Sequence, residues 1–107
     1  MKSVRAIIPE RNFDAINDAL HKAGVSGLTT YSSKGRGKEP PRPNQMGHWF
    51  YFSEFGDNNT VVVLAKDEDV EKIANAIREN ANVGKIFISN IEDLIDIKNN
   101  TRGEDAL

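Results

Sequence analysis

Lys34-Gly35-Arg36-Gly37-Lys38 sets two glycines among three cations in five consecutive residues. Glycine lets backbone amides approach an anion closely, and the cations supply charge, so such a segment is equipped to hold a phosphate. The alternative is a solvated basic turn, because Gly-x-Gly recurs widely by chance. Gly84-Lys85 offers a second anion contact, or a helix stop followed by an exposed lysine. Lys98 and Arg102 could reach an anion site on a neighbouring copy, or sit in a solvated tail. No catalytic set is legible: there is no cysteine, and no serine stands in a nucleophile motif. The expectation is therefore a non-enzyme with no catalytic residues. His21 and His48 are far apart and lack ligand spacing, so no metal site is expected.

The basic segment opens a long polar stretch, Gly35 to Ser53, that crosses Pro40, Pro41 and Pro43. A loop of this length inside a small domain is uncommon and usually functional. Five of the eight aromatics fall between Trp49 and Phe55, which is dense for a bare loop. Aromatics placed in solvent normally have a partner to meet. Arg42, Trp49, Phe50 and Tyr51 are the expected docking residues. The competing reading is an extended arm packed within an oligomer.

The 107 residues suffice for one domain, taken as 1–107. A formal net charge of −2 argues against a nucleic-acid partner. No apolar run approaches the ~18 residues of a membrane span, so no membrane insertion is expected. The absence of cysteine fits a cytoplasmic protein.

The elements that must position these residues follow from periodicity. Val4 to Ile8 reads as a buried strand stopped by Pro9. Asn12 is placed to cap a helix whose apolar face is Phe13, Ile16, Ala19, Leu20 and Ala23, with Gly24 ending it. Gly27 to Ser33 alternates as a second strand. Gly56-Asp57-Asn58-Asn59 has turn chemistry. Thr60 to Ala65 is an unbroken apolar run, expected to be covered on both faces or at an interface. Asp67 is placed to cap a second helix striped by Val70, Ile73, Ala74, Ile77 and Ala81. Lys85 to Ser89 is a fourth strand. A short helical turn and a brief strand are expected over 91–98, then a polar tail, mobile unless a neighbouring subunit holds it, over about 99–107. The order β-α-β-loop-β-α-β predicts an α+β, ferredoxin-like βαββαβ fold with helices on one face of an antiparallel sheet. The open face needs a cover, and self-association is the usual solution.

Read together, these segments resemble the PII signal-transduction family. Arg5-Ala6-Ile7-Ile8-Pro9 and Gly24-Val25-Ser26-Gly27-Leu28-Thr29 look like its opening. Lys34-Gly35-Arg36-Gly37 matches its Lys-Gly-x-Gly at the base of the T-loop, and Tyr51, Glu54 and Phe55 its returning arm. Gly84-Lys85-Ile86-Phe87-Ile88-Ser89 matches Gly-Lys-Ile-Phe-Val, and Arg102 to Leu107 is similar to its end.

The resemblance implies a homotrimer with nucleotide sites between subunits and a T-loop, about 35–58, that docks on a membrane transporter or metabolic enzyme. It implies an adenine nucleotide (ADP, AMP or ATP) as effector, with bicarbonate as a conceivable co-effector. The lining it implies is Ile7, Leu28, Thr29, Gly35, Arg36, Gly37, Lys38, Leu64, Gly84, Lys85, Lys98 and Arg102. Departures sharpen the expectation. Where family members that bind 2-oxoglutarate have a glutamine and a lysine, this chain has Glu39 and Asn58. A carboxylate at Glu39 repels a dicarboxylate, so 2-oxoglutarate is not expected. Ala81-Asn82-Val83-Gly84-Lys85 is shorter than the family's phosphate loop, and its Arg-x-Arg pair becomes Asp96-Ile97-Lys98. A trimeric interaction scaffold that has lost its ligand is the rival reading.

Overall fold

A computed structural model describes residues 1–38 and 55–107. Four strands, β1 (Lys2–Pro9), β2 (Thr29–Gly35), β3 (Gly56–Ala65) and β4 (Lys85–Asn90), form one sheet in the order β2-β3-β1-β4. Every pairing is antiparallel. Helices α1 (Phe13–Lys22) and α2 (Val70–Arg78) lie on one face. This is the ferredoxin-like βαββαβ arrangement expected from the order of elements.

The core forms because strand alternation and helical periodicity deliver apolar side chains to the same layer. Val4, Ala6 and Ile8 from β1 and Val61, Val63 and Ala65 from β3 meet Ile16 and Leu20 of α1 and Val70, Ile73 and Ile77 of α2. Helix α1 ends in a Schellman motif. Gly24, at φ 88°, lets its N–H reach the His21 carbonyl at 3.0 Å, while the Val25 N–H reaches that of Leu20 at 2.9 Å.

Neither helix starts as the sequence suggests. Asn12 makes no side-chain cap bond, and its Oδ1 is buried without a hydrogen-bond partner. A 3-10 turn, Glu10–Asn12, comes first and leads the chain into α1. Asp67 likewise opens a 3-10 turn rather than capping α2. Its carboxylate instead accepts from the Met1 ammonium at 2.9 Å, joining the start of β1 to the end of β3. That hydrogen bond holds the Asp67 carboxyl below the usual carboxylate range.

The segment read as a turn, Gly56-Asp57-Asn58-Asn59, is strand. It pairs with Ser32 to Gly35, so β2 and β3 form a ribbon that ends at Gly35↔Gly56. Turn-forming residues are held extended there by the ladder and by cross-strand contacts, among them Asn59 Nδ2 donating to Thr30 Oγ1 at 3.3 Å. The T-loop expected over about 35–58 is thus corrected at both ends, since Gly35 and Gly56 to Asn58 are ladder residues.

After β4, the helical turn and strand expected over 91–98 are replaced by a hairpin closed by a single bridge, Ile95↔Arg102. Asp96 organises it. Its carboxylate accepts from the backbone N–H of Lys98 at 2.9 Å and of Asn99 at 3.0 Å. Asn100, at φ 53°, turns the chain back. The tail expected to be mobile is thus tied to residues 93–96 by its own hydrogen bonds.

Candidate functional site

Side-chain direction follows from register. On the face away from the helices lie Thr29, Tyr31 and Ser33 of β2, Thr60, Val62 and Leu64 of β3, Ser3, Arg5 and Ile7 of β1, and Lys85, Phe87 and Ser89 of β4. The Thr60 to Ala65 run was expected to be covered on both faces or at an interface, and in the single chain Leu64 is 44% exposed on this side. Ile7, Phe87 and Tyr31 are also exposed. Of the residues assigned from sequence to the nucleotide site, Ile7, Thr29, Leu64 and Lys85 share this face. Leu28 points the other way and packs against the core.

Two of these residues are brought together closely. Ile7 and Lys85 are ladder partners. Gly84 precedes Lys85 at φ 136°, and a Cβ there would lie 2.3 Å from the Ile7 carbonyl oxygen. Only glycine lets the chain pass so near β1 and deliver Lys85 beside Ile7.

The basic segment lies at the other end of the sheet's width. Lys34 Nζ is 3.8 Å from Asp57 Oδ1 across the ribbon. Gly35 closes the ladder; a Cβ there would meet Asn58 Nδ2 at 2.9 Å, the end of a flexible side chain. The Arg36 guanidinium stands over Phe55, 5.9 Å from the ring centroid. Gly37 has open space around it, and Lys38 is exposed. Glu39, Arg42, Trp49, Phe50 and Tyr51 lie outside the described residues.

Distances follow from the lattice of the sheet. Lys85 and Tyr31 occupy one row, three strand spacings apart, or about 14 Å. Gly35 is four residues further along β2, another ~13 Å. Gly35 and Lys85 are therefore separated by about 20 Å within one chain, and Lys34 and Gly84 by about 16 Å.

Lys98 and Arg102 belong to the tail hairpin. The Arg102 guanidinium is held by Asp93, Nη2 at 2.6 Å and Nε at 3.1 Å from Oδ2. The Leu94 backbone N–H, then Arg102, holds the Asp93 carboxyl below its usual range. The backbone N–H of Asn99, then its side chain, does the same for Asp96. Asp93 was not singled out from sequence; its nine-residue separation from Arg102 becomes a contact only once the hairpin folds. Arg5 was also missed. It stacks on Phe87, 5.9 Å from the ring centroid, in the middle of the uncovered face.

A shallow cleft at the foot of the ribbon is lined by Glu10, Ser32, Ser33, Lys34, Asp57 and Asn58. Among the described residues no group of three acidic or histidine side chains could hold a metal. No helix of the described residues is long and apolar enough to cross a membrane.

The family model "Nitrogen regulatory protein P-II" matches residues 1–101. The chain is 33% identical to nitrogen regulatory protein P-II of Rhizobium meliloti and 35% identical to that of Rhodobacter capsulatus, with both chains covered in full. It is 29% identical to nitrogen regulatory protein P-II 1 of Methanothermobacter thermautotrophicus, covering all of this chain and 97% of that one. The chain belongs to the nitrogen regulatory protein P-II family of signal-transduction regulators.

Proposed function

We propose that this P-II protein is a cytoplasmic effector sensor that binds an adenine nucleotide between the subunits of a homotrimer. The loop between β2 and β3 then engages a transporter or metabolic enzyme, and ligand occupancy sets whether it does. The observation that carries the reading is the division of the anion-binding residues. Gly84-Lys85 and the Lys34–Lys38 segment are each suited to phosphate, yet start from backbone positions about 16–20 Å apart in one chain. A second copy that brings its ribbon to the first copy's Gly84-Lys85 completes one site, so the ligand reports on assembly and on the base of the loop together.

In this site Ile7, Thr29 and Leu64 supply apolar and hydroxyl surface on the open sheet face. Gly35, Arg36, Gly37 and Lys38 supply backbone amides and charge, and Gly84 and Lys85 cradle the phosphates. Lys98 and Arg102 approach from the tail. The nucleotide carries few phosphates, ADP or AMP ahead of ATP, because the 81–85 segment is short and Asp96 and Lys98 stand in place of two arginines. Bicarbonate, a small anion, suits the same cationic glycine segment; 2-oxoglutarate does not suit a site with Glu39 and Asn58.

Replacing Lys38 and Lys85 together by alanine tests the assignment. The double variant should lose nucleotide binding while keeping its fold; unchanged affinity would remove these residues from the site. A ligand-free scaffold is the second reading, favoured by Arg102 being occupied by Asp93 rather than open to a phosphate.

A further inference from the structure

The open sheet face carries charge of one sign. Among its described strand residues the charged members are Arg5 and Lys85, both cations and both exposed. No described strand residue on that face is acidic. Lys85 belongs to the nucleotide site proposed above. Arg5 has no role there, and neither local spacing nor resemblance singles it out.

Register places the two cations side by side. Arg5 pairs with Phe87 across β1 and β4, and Lys85 lies two residues before Phe87 on the same face. Arg5 and Lys85 are therefore diagonal neighbours, rooted about 7–8 Å apart. Two like charges so close, with no acidic neighbour on the face, concentrate positive potential at one spot. The Arg5 guanidinium is also held in place. It stands over the Phe87 ring, 5.9 Å from the centroid, and so leans toward the strand that carries Lys85. Its Nε donates to the Ser3 hydroxyl at 3.4 Å. Among the described residues no hydrogen bond engages its two Nη groups. A guanidinium fixed at its root with its fork open is suited to grip two oxygens of one phosphoryl group.

We infer that Arg5 is a further ligand-binding residue, which forms with Lys85 a two-cation clamp for the phosphoryl groups of the ligand. The inference rests on the nucleotide reading above and deepens it: the clamp separates phosphorylated from unphosphorylated ligands. A phosphoryl group between the two side chains accepts hydrogen bonds from both and offsets their mutual repulsion. Phe87 is then a positioning residue, since it holds the guanidinium on the Lys85 side.

The test is calorimetric titration of the purified full chain with ADP, adenosine and pyrophosphate, repeated for Arg5→Gln, Arg5→Lys and Lys85→Gln. Each variant is first checked for native far-UV circular dichroism and for the parent's sedimentation. ADP and pyrophosphate should bind about tenfold more weakly to Arg5→Gln and to Lys85→Gln, with adenosine unchanged. Arg5→Lys keeps the charge but not the fork, so it should lose about threefold. Lys72→Gln, which removes a cation from α2, should bind all three as the parent does. Parental ADP and pyrophosphate binding by Arg5→Gln overturns the clamp and leaves the nucleotide reading standing. An equal loss for adenosine overturns it too, because Arg5 would then shape the site rather than hold phosphate. Altered sedimentation of Arg5→Gln places Arg5 in a contact between copies and also overturns the clamp. Pyrophosphate bound through Arg5, with no binding of ADP, supports the clamp and removes the nucleotide reading. Binding of neither overturns both. Should Arg5→Gln not fold, Arg5→Lys decides, and parental affinity for ADP and pyrophosphate in that variant overturns the clamp.

Discussion

Gly84→Ala probes the joint between the fold and the proposed site. At φ 136° a side chain is strained whatever the space, at a cost of about 1–3 kcal/mol. The added Cβ would also lie 2.3 Å from the Ile7 carbonyl oxygen. Relieving that contact requires a shift of about 1 Å to reach ordinary van der Waals distance. The atom in the way is backbone in a central strand, so β4 must yield and the Ile7–Lys85 pairing weakens by about 1 kcal/mol. Alanine's smaller unfolded-state entropy offsets roughly 0.4–1 kcal/mol. The net expectation is a loss of about 2–3 kcal/mol, read by urea denaturation at fixed protein concentration. Gly27→Ala is the control. Gly27 has no atom within 4 Å of an added Cβ and needs no left-handed backbone, so stability should stay within about 1 kcal/mol of the parent. If Gly84→Ala were as stable as Gly27→Ala, the close passage over Ile7 would not be what makes glycine necessary there.

Truncating Leu20, fully buried between helix and sheet, to alanine should cost about 2–5 kcal/mol by the same assay. Asp96→Ala should remove the hydrogen-exchange protection of the Lys98 and Asn99 amides while leaving β1 to β4 protected, as read by NMR. The tail hairpin should also be acid-labile. The carboxyls of Asp93 and Asp96 are both lowered from the ordinary value of 3.8. Their contribution is therefore complete above that value and is lost as the pH falls below it through the folded-state values. Amide protection at Leu94, Lys98 and Asn99 should decline in that window, and tail amides equally protected at pH 2 and pH 6 would contradict this.

What was legible in the sequence is what depends on periodicity. Val4, Ala6 and Ile8 alternate, and Ile16 with Leu20 and Ile73 with Ile77 recur every four residues, so the strands, helices and core could be read directly. Gly24 announced its helix end because a left-handed residue is needed there. What depends on pairing partners was not legible. Asn58 and Asn59 have turn chemistry, and only the ladder with Ser32 and Ser33 makes them strand. Asn12 does precede α1 but makes no cap bond, because a 3-10 turn already runs through it, and a 3-10 turn that Asp67 opens separates Asp67 from α2. Asp67 finds the Met1 ammonium 66 residues away, which no local rule anticipates. The basic glycine segment and Gly84-Lys85 were each visible as anion chemistry. Their separation across the sheet was not.

The most direct test of the central claim is calorimetric titration of the purified protein with ATP, ADP, AMP and cyclic AMP, each with and without bicarbonate and 2-oxoglutarate. The account predicts one saturable site per subunit for an adenine nucleotide, tighter for ADP or AMP than for ATP and unaided by 2-oxoglutarate. No binding of any nucleotide by a protein shown to be a folded trimer would contradict the sensor and leave a constitutive docking scaffold in its place.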